Sequence, residues 1–398
     1  MAREEASVSV KLVVMSHKVC WQSLKSPSGY ATDGGFPFQM RAISELFDET
    51  RIVIPMTQLP CPTGEVSISG EKLSVVALTA PFGRNLGRKL MLVPWLLRNL
   101  SKIVREIKRA DAVHTPIPSD IGTIGMLMAM MLGKPLLVRH CGNWALQRTA
   151  AEHFWRWLLE RTAGDHTVVL ATGEAAKGPS ARNPNVRWIF STSLTESELK
   201  ECAWVRSGFT EKGPRLIIAC RQERSKGTGA VIESLQLLQA EHPNISLDVV
   251  GDGAALSDFR RIAEDCRVAH RVRFHGKVDH ARVMALLKNA DLFCFPTTSS
   301  EGFPKAVLEA LACGLPVVST SVSVLGELVG RGGGMLLNEA TPEEIASGIR
   351  WCLADPARYH ALSSAAVRTA AHYSLERWRD TIGSFLTPCW GPLRSLHA

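Results

Sequence analysis

Short runs of apolar residues recur along the chain and alternate with stretches whose apolar residues repeat every three or four positions. Short runs bounded by turn residues predict buried strands, and the longer periodicity predicts helices that cover them. This alternation is typical of parallel sheets with helices on both faces. In the first half, the candidate strands are VSVKLVVMS, TRIVIP, KLSVVALT, DAVHT, KPLLVRH, HTVVLAT and VRWIF.

The alternation stops at a polar stretch and then starts again, which predicts two domains. We interpret 201–213, within STSLTESELKECAWVRSGFTEKGP, as a linker. It separates an N-terminal domain, 1–200, from a C-terminal domain, 214–373. The second domain's candidate strands are RLIIAC, ISLDVVG, RVRFHG, DLFCFP, PVVST and GGMLL, and LERWRDTIGSFL (Leu375–Leu386) is a candidate last helix. Each half predicts a doubly wound sheet that binds ligands at the carboxyl ends of its strands.

Composition indicates a large globular protein. The chain has 398 residues, of which 45% are apolar and 21% charged, which are ordinary values for globular domains. Its 10 cysteines are scattered without a C-x-x-C pair, and several lie in apolar runs, as Cys294 does in DLFCFP. We interpret most of them as small buried side chains in a reducing cytoplasm rather than metal ligands.

Neither a leader nor a membrane span is predicted. The N-terminus MAREEASVSVKLVVMS contains acidic residues and lacks the long apolar core of a signal peptide. The longest apolar stretch, Ile121–Gly133, is shorter than a bilayer span, so we expect a buried helix there. These features favour a cytoplasmic protein that is not integral to a membrane.

The net charge of +8 is unevenly distributed. The stretch Gly83–Ala110 interleaves Lys and Arg with Leu, Met, Val and Trp95, and it contains one acid, Glu106. Such a basic amphipathic stretch is typical of peripheral contact with an anionic membrane, here at its inner face. A helix packed on its own sheet with a solvated basic face has the same pattern. We expect no nucleic-acid partner, because no recognised module is present and stacking residues are lacking beside the charge.

Two glutamates separated by seven residues mark the segment SSEGFPKAVLEALACGLPVVST. Glu301 precedes a predicted helix that begins at Pro304 and ends at Gly314. A helix N-terminus offers unpaired N–H groups and a positive dipole end, so the turn Gly302–Lys305 is suited to an anion such as phosphate. Glu309, inside the helix, is suited to accept hydrogen bonds from polyol hydroxyls. An ordinary loop, helix and strand with solvated glutamates is the alternative.

This segment resembles the E-x7-E signature of retaining glycosyltransferases of the family 4 type. Three more segments resemble the family and follow its order: LIIACRQERSKGTGAVIESL, VVGDGAAL and VRFHGKVDHARVMALLKNADLFCFPTTSSEG. The likeness covers about Pro214–Tyr373. It implies the GT-B fold, in which two Rossmann-like domains face a cleft. By this resemblance 1–200 binds the acceptor, 214–373 binds the nucleotide-sugar, and a crossover helix and tail in 374–398 pack on the first domain.

The resemblance also assigns roles to individual residues of the second domain. It places Arg221 and Lys226 at the diphosphate, Glu301 with Gly302, Phe303 and Pro304 at the sugar, Glu309 at the ribose, and the backbone of Lys277 and Val278 at the base. Arg221, Lys226 and Glu301 are the expected catalytic residues of this domain. Read without the motif, Arg221 and Lys226 are equally consistent with surface cations in a charged loop.

We expect neither a metal nor a cofactor, because the nucleoside-diphosphate sugar is a co-substrate. The chain contains no Asp-x-Asp triplet of the kind that holds a divalent metal in many transferases. Two cations and a helix dipole near Pro304 are able to stabilise the leaving diphosphate instead. One position departs from the family pattern: Cys220 stands where a glycine usually precedes Arg221, so the backbone approaches the diphosphate less closely there.

In the first domain, the candidate donor-binding residues are Gly34 and Gly35, and the candidate catalytic residue is His140. The glycines lie between the first long strand and the next helix, and the family has a similar Gly-Gly loop over the donor phosphates. An ordinary turn explains Asp33-Gly34-Gly35 equally well. His140 ends a predicted strand, as a sugar-contacting His–Gly does in the family, although Cys141 intervenes before the glycine. A structural histidine is the alternative for His140.

The resemblance implies transfer of a sugar from a nucleoside-diphosphate sugar to a hydroxyl acceptor with retained configuration. The acceptor hydroxyl attacks the face from which the diphosphate leaves, and the leaving phosphate serves as the base. Expected acceptors are glycolipid, polysaccharide or small-molecule glycoside precursors, including lipid-linked ones. Two alternatives stay open: a nucleotide-sugar 2-epimerase, which would lack the Arg–Lys pair and the glutamate spacing, and a silent sugar-nucleotide sensor, which would lack one of the four charged residues.

Overall fold

A computed structural model of the chain describes residues 9–59, 64–81, 83, 85–147, 149–164, 166–209 and 213–394. The described residues form two compact units. Unit 1 lies within Met1–Ser193 and Leu375–Ala398, and unit 2 is Leu194–Ser374.

The strands and helices alternate as expected for parallel sheets covered by helices. The strands are β1 (Lys11–Met15), β2 (Trp21–Gln22), β3 (Tyr30–Asp33), β4 (Glu49–Met56), β5 (Glu65–Ser67), β6 (Leu73–Thr79), β7 (Ala112–Ile117), β8 (Leu136–His140), β9 (Thr167–Thr172), β10 (Val186–Ile189), β11 (Arg215–Ala219), β12 (Ser246–Val250), β13 (Val272–Gly276), β14 (Leu292–Phe295), β15 (Val317–Thr320) and β16 (Gly334–Leu337). The helices are α1 (Phe36–Ser44), α2 (Asn85–Arg109), α3 (Asp120–Met131), α4 (Ala150–Thr162), α5 (Glu196–Cys202), α6 (Thr228–Leu238), α7 (Leu256–Asp265), α8 (His280–Lys288), α9 (Lys305–Ala312), α10 (Leu325–Gly330), α11 (Pro342–Leu353), α12 (Pro356–Ala370) and α13 (Leu375–Trp390).

Unit 1 contains a seven-stranded sheet in the order β10-β9-β8-β7-β1-β4-β6. All of its strand pairs are parallel. The chain winds outward from β1 in both directions, so the winding reverses between β1 and β7. A three-stranded sheet in the order β2-β3-β5 lies beside it. The seven long strands match the predicted runs, whereas the small antiparallel sheet was not predicted.

Helices cover both faces of this sheet. Val13 and Met15 of β1 pack in the core that includes residues of α2, α3 and α4, whereas Leu12 and Val14 pack in the core that includes residues of α1 and α13. Successive side chains of a strand point to opposite faces, which explains this division. Burial on both faces accounts for the nearly continuous apolar runs of these strands.

The last helix belongs to unit 1, as predicted. On α13, Trp378 and Ile382 are buried in the core shared with α1. The guanidinium of Arg139 on β8 lies 5.2 Å from the centre of the Trp378 ring, and Arg379 forms an ion pair with Glu45. These contacts hold the C-terminal segment on the first sheet and its helices.

Unit 2 contains a six-stranded sheet in the order β13-β12-β11-β14-β15-β16. Its strand pairs are all parallel, and every strand corresponds to a predicted run. The first strand, β11, lies at the centre, and the winding reverses between β11 and β14. In doubly wound sheets, ligands bind outside the carboxyl ends of the strands at this reversal. The loops that follow β11 and β14 are therefore the expected ligand-binding loops of unit 2.

The described part of the predicted linker, 201–213, is packed in unit 2. Arg206 is 6% exposed, and its guanidinium donates to four carbonyl oxygens, those of Ala290 at 2.5 Å, Lys288 at 2.9 Å, and Leu287 and Cys313 at 3.3 Å each. These carbonyls lie at the ends of α8 and α9, where helices leave acceptors unpaired. A buried arginine therefore turns a polar stretch into a structural part of unit 2, and the units divide at Ser193 instead.

Within the part of the chain that the structure describes, no helix is long and apolar enough to cross a membrane. The predicted apolar helix at Ile121–Gly133 corresponds to α3, which is only partly buried: Met126 is fully buried, whereas Met131 is 85% exposed.

Candidate functional site

The loops that follow β11 and β14 are joined by hydrogen bonds. The backbone N–H of Thr298 donates to the Ser225 carbonyl oxygen at 2.9 Å, and the Thr297 hydroxyl donates to the same oxygen at 3.1 Å. Because β11 and β14 are neighbouring parallel strands, both loops leave the sheet at the same edge. The joined loops form the candidate site.

Lys226 and Glu301 form an ion pair across these two loops. The Lys226 ammonium also donates to the Ser299 hydroxyl at 3.0 Å. Their side chains are only 15% and 19% exposed. An ammonium has three N–H donors, and these two contacts leave one for a ligand oxygen. The structure thus brings together two residues that lie 75 positions apart in the sequence.

The loop that carries Glu301 is held by residues of β15 and of the turn that follows it. Ser323, in the turn after β15, donates its hydroxyl to the Glu301 carbonyl oxygen at 2.6 Å. Thr320, the last residue of β15, donates to the Thr297 carbonyl oxygen at 2.5 Å. These bonds fix the backbone on both sides of Ser299, so the position of the Glu301 Cα is well defined.

Three predicted donor contacts lie between Glu301 and α9. The helix begins at Lys305, one position later than predicted, and Pro304 is its N-cap residue with φ −80° and ψ 95°. The Phe303 side chain is 9% exposed, and its ring centre lies 5.4 Å from that of Tyr373. Phe303 therefore anchors the loop in unit 2, and only the backbone of Gly302–Pro304 is available for a ligand.

Glu309 lies inside α9 and contacts a histidine that sequence analysis missed. Its carboxylate Oε1 is 3.1 Å from Nε2 of His280, the first residue of α8. His280 follows the loop of Lys277 and Val278, so this contact places that loop beside Glu309. The hydrogen bond that His280 donates to Glu309 is the main reason that the His280 pKa is raised above its ordinary value. The only signal in the sequence was the nearness of His280 to the loop expected at the base.

Arg221 is not held against the Lys226–Glu301 pair. Its side chain is 76% exposed and forms an ion pair with Glu223 at 3.1 Å. The next residue, Gln222, is fully buried. The side chains on either side of Gln222 are more exposed, with Glu223 at 41%. The structure thus separates the two predicted cations: Lys226 lies in the site, and Arg221 lies at the surface of the same loop.

The buried Gln222 side chain supports this loop by hydrogen bonds, and sequence analysis missed this residue. Its amide nitrogen donates to the Val250 carbonyl oxygen at 2.9 Å and to the Cys220 carbonyl oxygen at 3.1 Å. Its amide oxygen accepts from the Thr228 hydroxyl at 2.8 Å. The side chain therefore links the carboxyl ends of β11 and β12 to the first residue of α6. These bonds hold the chain on both sides of the turn that contains Lys226.

Close packing explains two glycines and the neighbouring cysteine. Gly227 has φ +83°, and a Cβ there would lie 2.4 Å from the Pro296 carbonyl oxygen. At Gly251 a Cβ would lie 1.9 Å from the Cys220 carbonyl oxygen. Burial raises the pKa of the Cys220 thiol to about 12. The thiol is therefore neutral, and its Sγ lies 3.6 Å from the Gln222 amide nitrogen.

The candidate residues of unit 1 lie near strand ends. Gly34, with φ +72°, follows β3, and Gly35 is the N-cap residue of α1. Both glycines lie between β1 and α1, as predicted, and the unpredicted strands β2 and β3 lie between β1 and the glycines. His140 ends β8, and its ring meets that of Trp144 edge to face at 5.2 Å. Burial lowers the His140 pKa, which favours a neutral imidazole.

His114, a second histidine on a predicted strand, is structural. It is fully buried, and its Nδ1 lies 3.0 Å from the Leu137 carbonyl oxygen. Burial lowers its pKa to about 3. Among the residues that the structure describes, no group of three or more His, Cys, Asp or Glu side chains is placed to hold a metal ion.

Part of the chain matches a known family. Residues 205–369 match the family described as "Glycosyl transferases group 1". A GDP-mannose-dependent monoacylated alpha-(1-6)-phosphatidylinositol monomannoside mannosyltransferase of Corynebacterium glutamicum is 29% identical over 198 residues, which are 48% of this chain and 50% of that protein. A glycogen synthase of Mycobacterium tuberculosis is 32% identical over 179 residues, 42% of this chain and 43% of that protein. The chain thus spans about half the length of the curated relatives it matches.

Solved structures are similar over both units. The Anabaena protein HepE in complex with UDP and glucose has a TM-score of 0.64 at 18% identity, covering 96% of this chain and 100% of that chain. WaaG, a glycosyltransferase involved in lipopolysaccharide biosynthesis, has a TM-score of 0.61 at 16% identity, covering 94% and 98%. At such identities the likeness concerns the fold alone. It confirms the predicted GT-B class, with two Rossmann-like domains of parallel sheet and a last helix that returns to the first.

Proposed function

We propose that this protein is a glycosyltransferase that moves a sugar from a nucleoside-diphosphate sugar to a hydroxyl acceptor. The observation that carries the proposal is the Lys226–Glu301 pair at the carboxyl edge between β11 and β14. Glu309 stands in the helix that follows the Glu301 loop. All three lie within the region that matches the glycosyltransferase family.

The charges of the site suit a diphosphate leaving group. When the bond to the sugar breaks, negative charge accumulates on the phosphates and must be stabilised in the transition state. Lys226 supplies a nearly buried cation, and the first turn of α9 supplies N–H groups. Arg221 is on the same loop, and its surface pair with Glu223 is worth only about 0–1 kcal/mol, so turning toward a diphosphate costs little. We therefore propose that the chemistry needs no metal.

We propose that the transfer retains the configuration of the sugar. A carboxylate that is ion-paired to Lys226 is a poor nucleophile, which supports a role for Glu301 in holding sugar hydroxyls rather than in attacking the sugar. The acceptor hydroxyl then attacks the face from which the diphosphate leaves. The departing phosphate oxygen takes the proton of the hydroxyl, and the nucleoside diphosphate is released.

Donor and acceptor are proposed by class. Relatives named as GDP-mannose-dependent transferases, and a neighbour bound to UDP and glucose, support a nucleoside-diphosphate hexose as donor. In this proposal Glu309 and the Lys277–Val278 loop receive the nucleoside. Unit 1, with Gly34, Gly35 and His140, receives a glycolipid, polysaccharide or small-molecule acceptor.

Donor incubations test the proposal against its alternatives. UDP-glucose, GDP-mannose and ADP-glucose are each added and the melting temperature is measured, because a bound ligand stabilises the native state by mass action. We expect one donor to raise the melting temperature and to be consumed only when a hydroxyl acceptor is present. Conversion of the donor without acceptor would indicate an epimerase. Binding without turnover over a broad acceptor panel would indicate a sensor.

We also propose that α2 docks on an anionic membrane at the cytoplasmic side. Its inner face is buried, with Ile103 and Ile107 fully enclosed. Its first half nevertheless exposes large apolar side chains, including Leu90 at 67% and Leu97 at 70%. Packing on the sheet of unit 1 leaves these side chains in contact with water, whereas an amphipathic helix at a bilayer surface buries such side chains.

Vesicle sedimentation tests the membrane proposal. Leu90→Glu with Leu97→Glu should abolish co-sedimentation with phosphatidylglycerol vesicles, because the new charges oppose insertion. Leu237→Glu, at a 41% exposed position of α6, is the matched control and should sediment as the wild type does. Equal sedimentation of all three proteins would contradict membrane docking through α2.

A further inference from the structure

His280 contacts Glu309, although no motif accounts for it. Its Nε2 lies 3.1 Å from Oε1 of the carboxylate. The Glu309 side chain is 9% exposed, and that of His280 is 38% exposed. The contact occupies one of the two carboxylate oxygens. The other oxygen keeps its acceptor capacity for a ligand hydroxyl.

The helices that carry the two residues are tied to each other. Asp279, the N-cap residue of α8, accepts a hydrogen bond from the Arg282 backbone N–H at 2.7 Å, which fixes the start of that helix. Arg206 donates to the carbonyl oxygen of Lys288 at the end of α8 and to that of Cys313 at the end of α9. These bonds hold α8 and α9 at a fixed spacing, and so they fix the distance between His280 and Glu309.

Several charges face His280. Glu309 has the largest effect and raises its pKa, while burial, the next largest, lowers it. Glu198 of α5 raises it further and Lys305 of α9 lowers it. The titratable groups that flank His280 in sequence are Lys277, Asp279 and Arg282. The net direction is upward from the ordinary value of 6.5.

We propose that His280 is a positioning residue of the donor site, which holds the Glu309 carboxylate in the orientation that accepts the ribose hydroxyls. This inference rests on the proposed function. A buried carboxylate with a single fixed partner has one preferred direction, so its second oxygen is pre-oriented for a ligand. His280 thereby connects the loop proposed at the base with the residue proposed at the ribose.

Because His280 titrates, the donor affinity should depend on pH. Imidazolium donates a charge-assisted hydrogen bond to the carboxylate, which is stronger than the bond from neutral imidazole. Because the His280 pKa is raised, the imidazolium that holds the Glu309 carboxylate is present in mildly acidic solution and is lost as the pH rises through that raised pKa. The affinity is therefore highest in mildly acidic solution and falls toward pH 8.5.

Calorimetric titration with UDP-glucose and GDP-mannose from pH 6 to 8.5 tests the inference. We expect the dissociation constant of the wild type to rise about fivefold over this range, the scale by which charged and neutral hydrogen bonds differ. His280→Gln keeps an N–H donor but cannot titrate, so its affinity should not change with pH. His280→Ala should bind about tenfold more weakly at pH 6, with kcat close to that of the wild type.

Two comparisons separate positioning from a general effect on the fold. His270→Gln alters an exposed histidine in the turn Ala269–Arg271, and it should keep the wild-type pH profile. Glu309→Gln removes the carboxylate, so adding His280→Gln to it should change the affinity no further. Unchanged affinity and pH profile in both His280 variants would overturn the inference and leave the proposed function standing. Binding of no nucleotide-sugar by the wild type at any pH would overturn both.

Discussion

At the scale of single residues, Lys226 is the side chain on which the proposed chemistry depends most. It is only 15% exposed, it is held by Glu301 and Ser299, and it retains one donor. Arg221, paired with it in the sequence analysis, is 76% exposed and held by its own loop. The motif placed both cations at the diphosphate, but the intervening Gln222 is buried and Arg221 is exposed. The two cations are therefore expected to contribute unequally.

Replacement of Lys226 tests this difference. Lys226→Ala should lower kcat at least about a hundredfold, the scale of losing one preformed charge partner in a transition state. Arg224→Ala is the matched control, because Arg224 lies in the same turn, is 80% exposed and pairs with Asp258. It should change kcat less than about twofold. An unchanged kcat with a raised KM for Lys226→Ala would mean that Lys226 binds only the ground state.

At the scale of elements, thirteen strands of the two parallel sheets were visible in the sequence, because strands buried on both faces appear as continuous apolar runs. The strands β2, β3 and β5, with 2, 4 and 3 residues, contain no such apolar run. The structural role of the described part of 201–213 was missed for another reason: it depends on Arg206, and the partners of that side chain are distant in sequence. Contacts of this kind, like those of Gln222 and His280, require the fold.

Arg206 provides a test at this scale. Arg206→Ala leaves several buried carbonyl oxygens without a donor, so it should lower the free energy of unfolding of unit 2 by about 3 kcal/mol. Arg350→Ala removes a surface ion pair with Glu241 and should lower the free energy of unfolding much less, because exposed ion pairs contribute little. Urea unfolding of each variant, followed by far-UV circular dichroism, measures both losses. Similar losses for the two variants would contradict the role assigned to Arg206.

At the scale of the whole molecule, the fold is that of GT-B proteins, while the family match is confined to residues 205–369. That region includes the loops of the candidate site, which explains why a motif could locate them. The candidate residues of unit 1, Gly34, Gly35 and His140, lie outside the matched region. Gly34 and Gly35 follow β3 of a small sheet that no pattern predicted, so the acceptor could be inferred only by class.

Metal dependence is a property of the complete reaction. We expect glycosyl transfer to proceed in 5 mM EDTA at a rate within about twofold of the untreated protein, because in the proposed mechanism Lys226 and the first turn of α9 stabilise the leaving diphosphate. The rate of nucleoside diphosphate release measures this directly. Complete loss of activity that magnesium or manganese restores would contradict metal-free transfer.

The central claim is that a nucleoside-diphosphate sugar binds at the carboxyl edge of β11 and β14 in unit 2. Hydrogen–deuterium exchange, with and without the donor that raises the melting temperature, tests it most directly, because bound segments exchange more slowly. We predict protection in three segments, 220–229, 277–283 and 297–310, and loss of that protection in Lys226→Ala at the same donor concentration. Protection confined to other segments, or equal protection in the variant, would contradict the account.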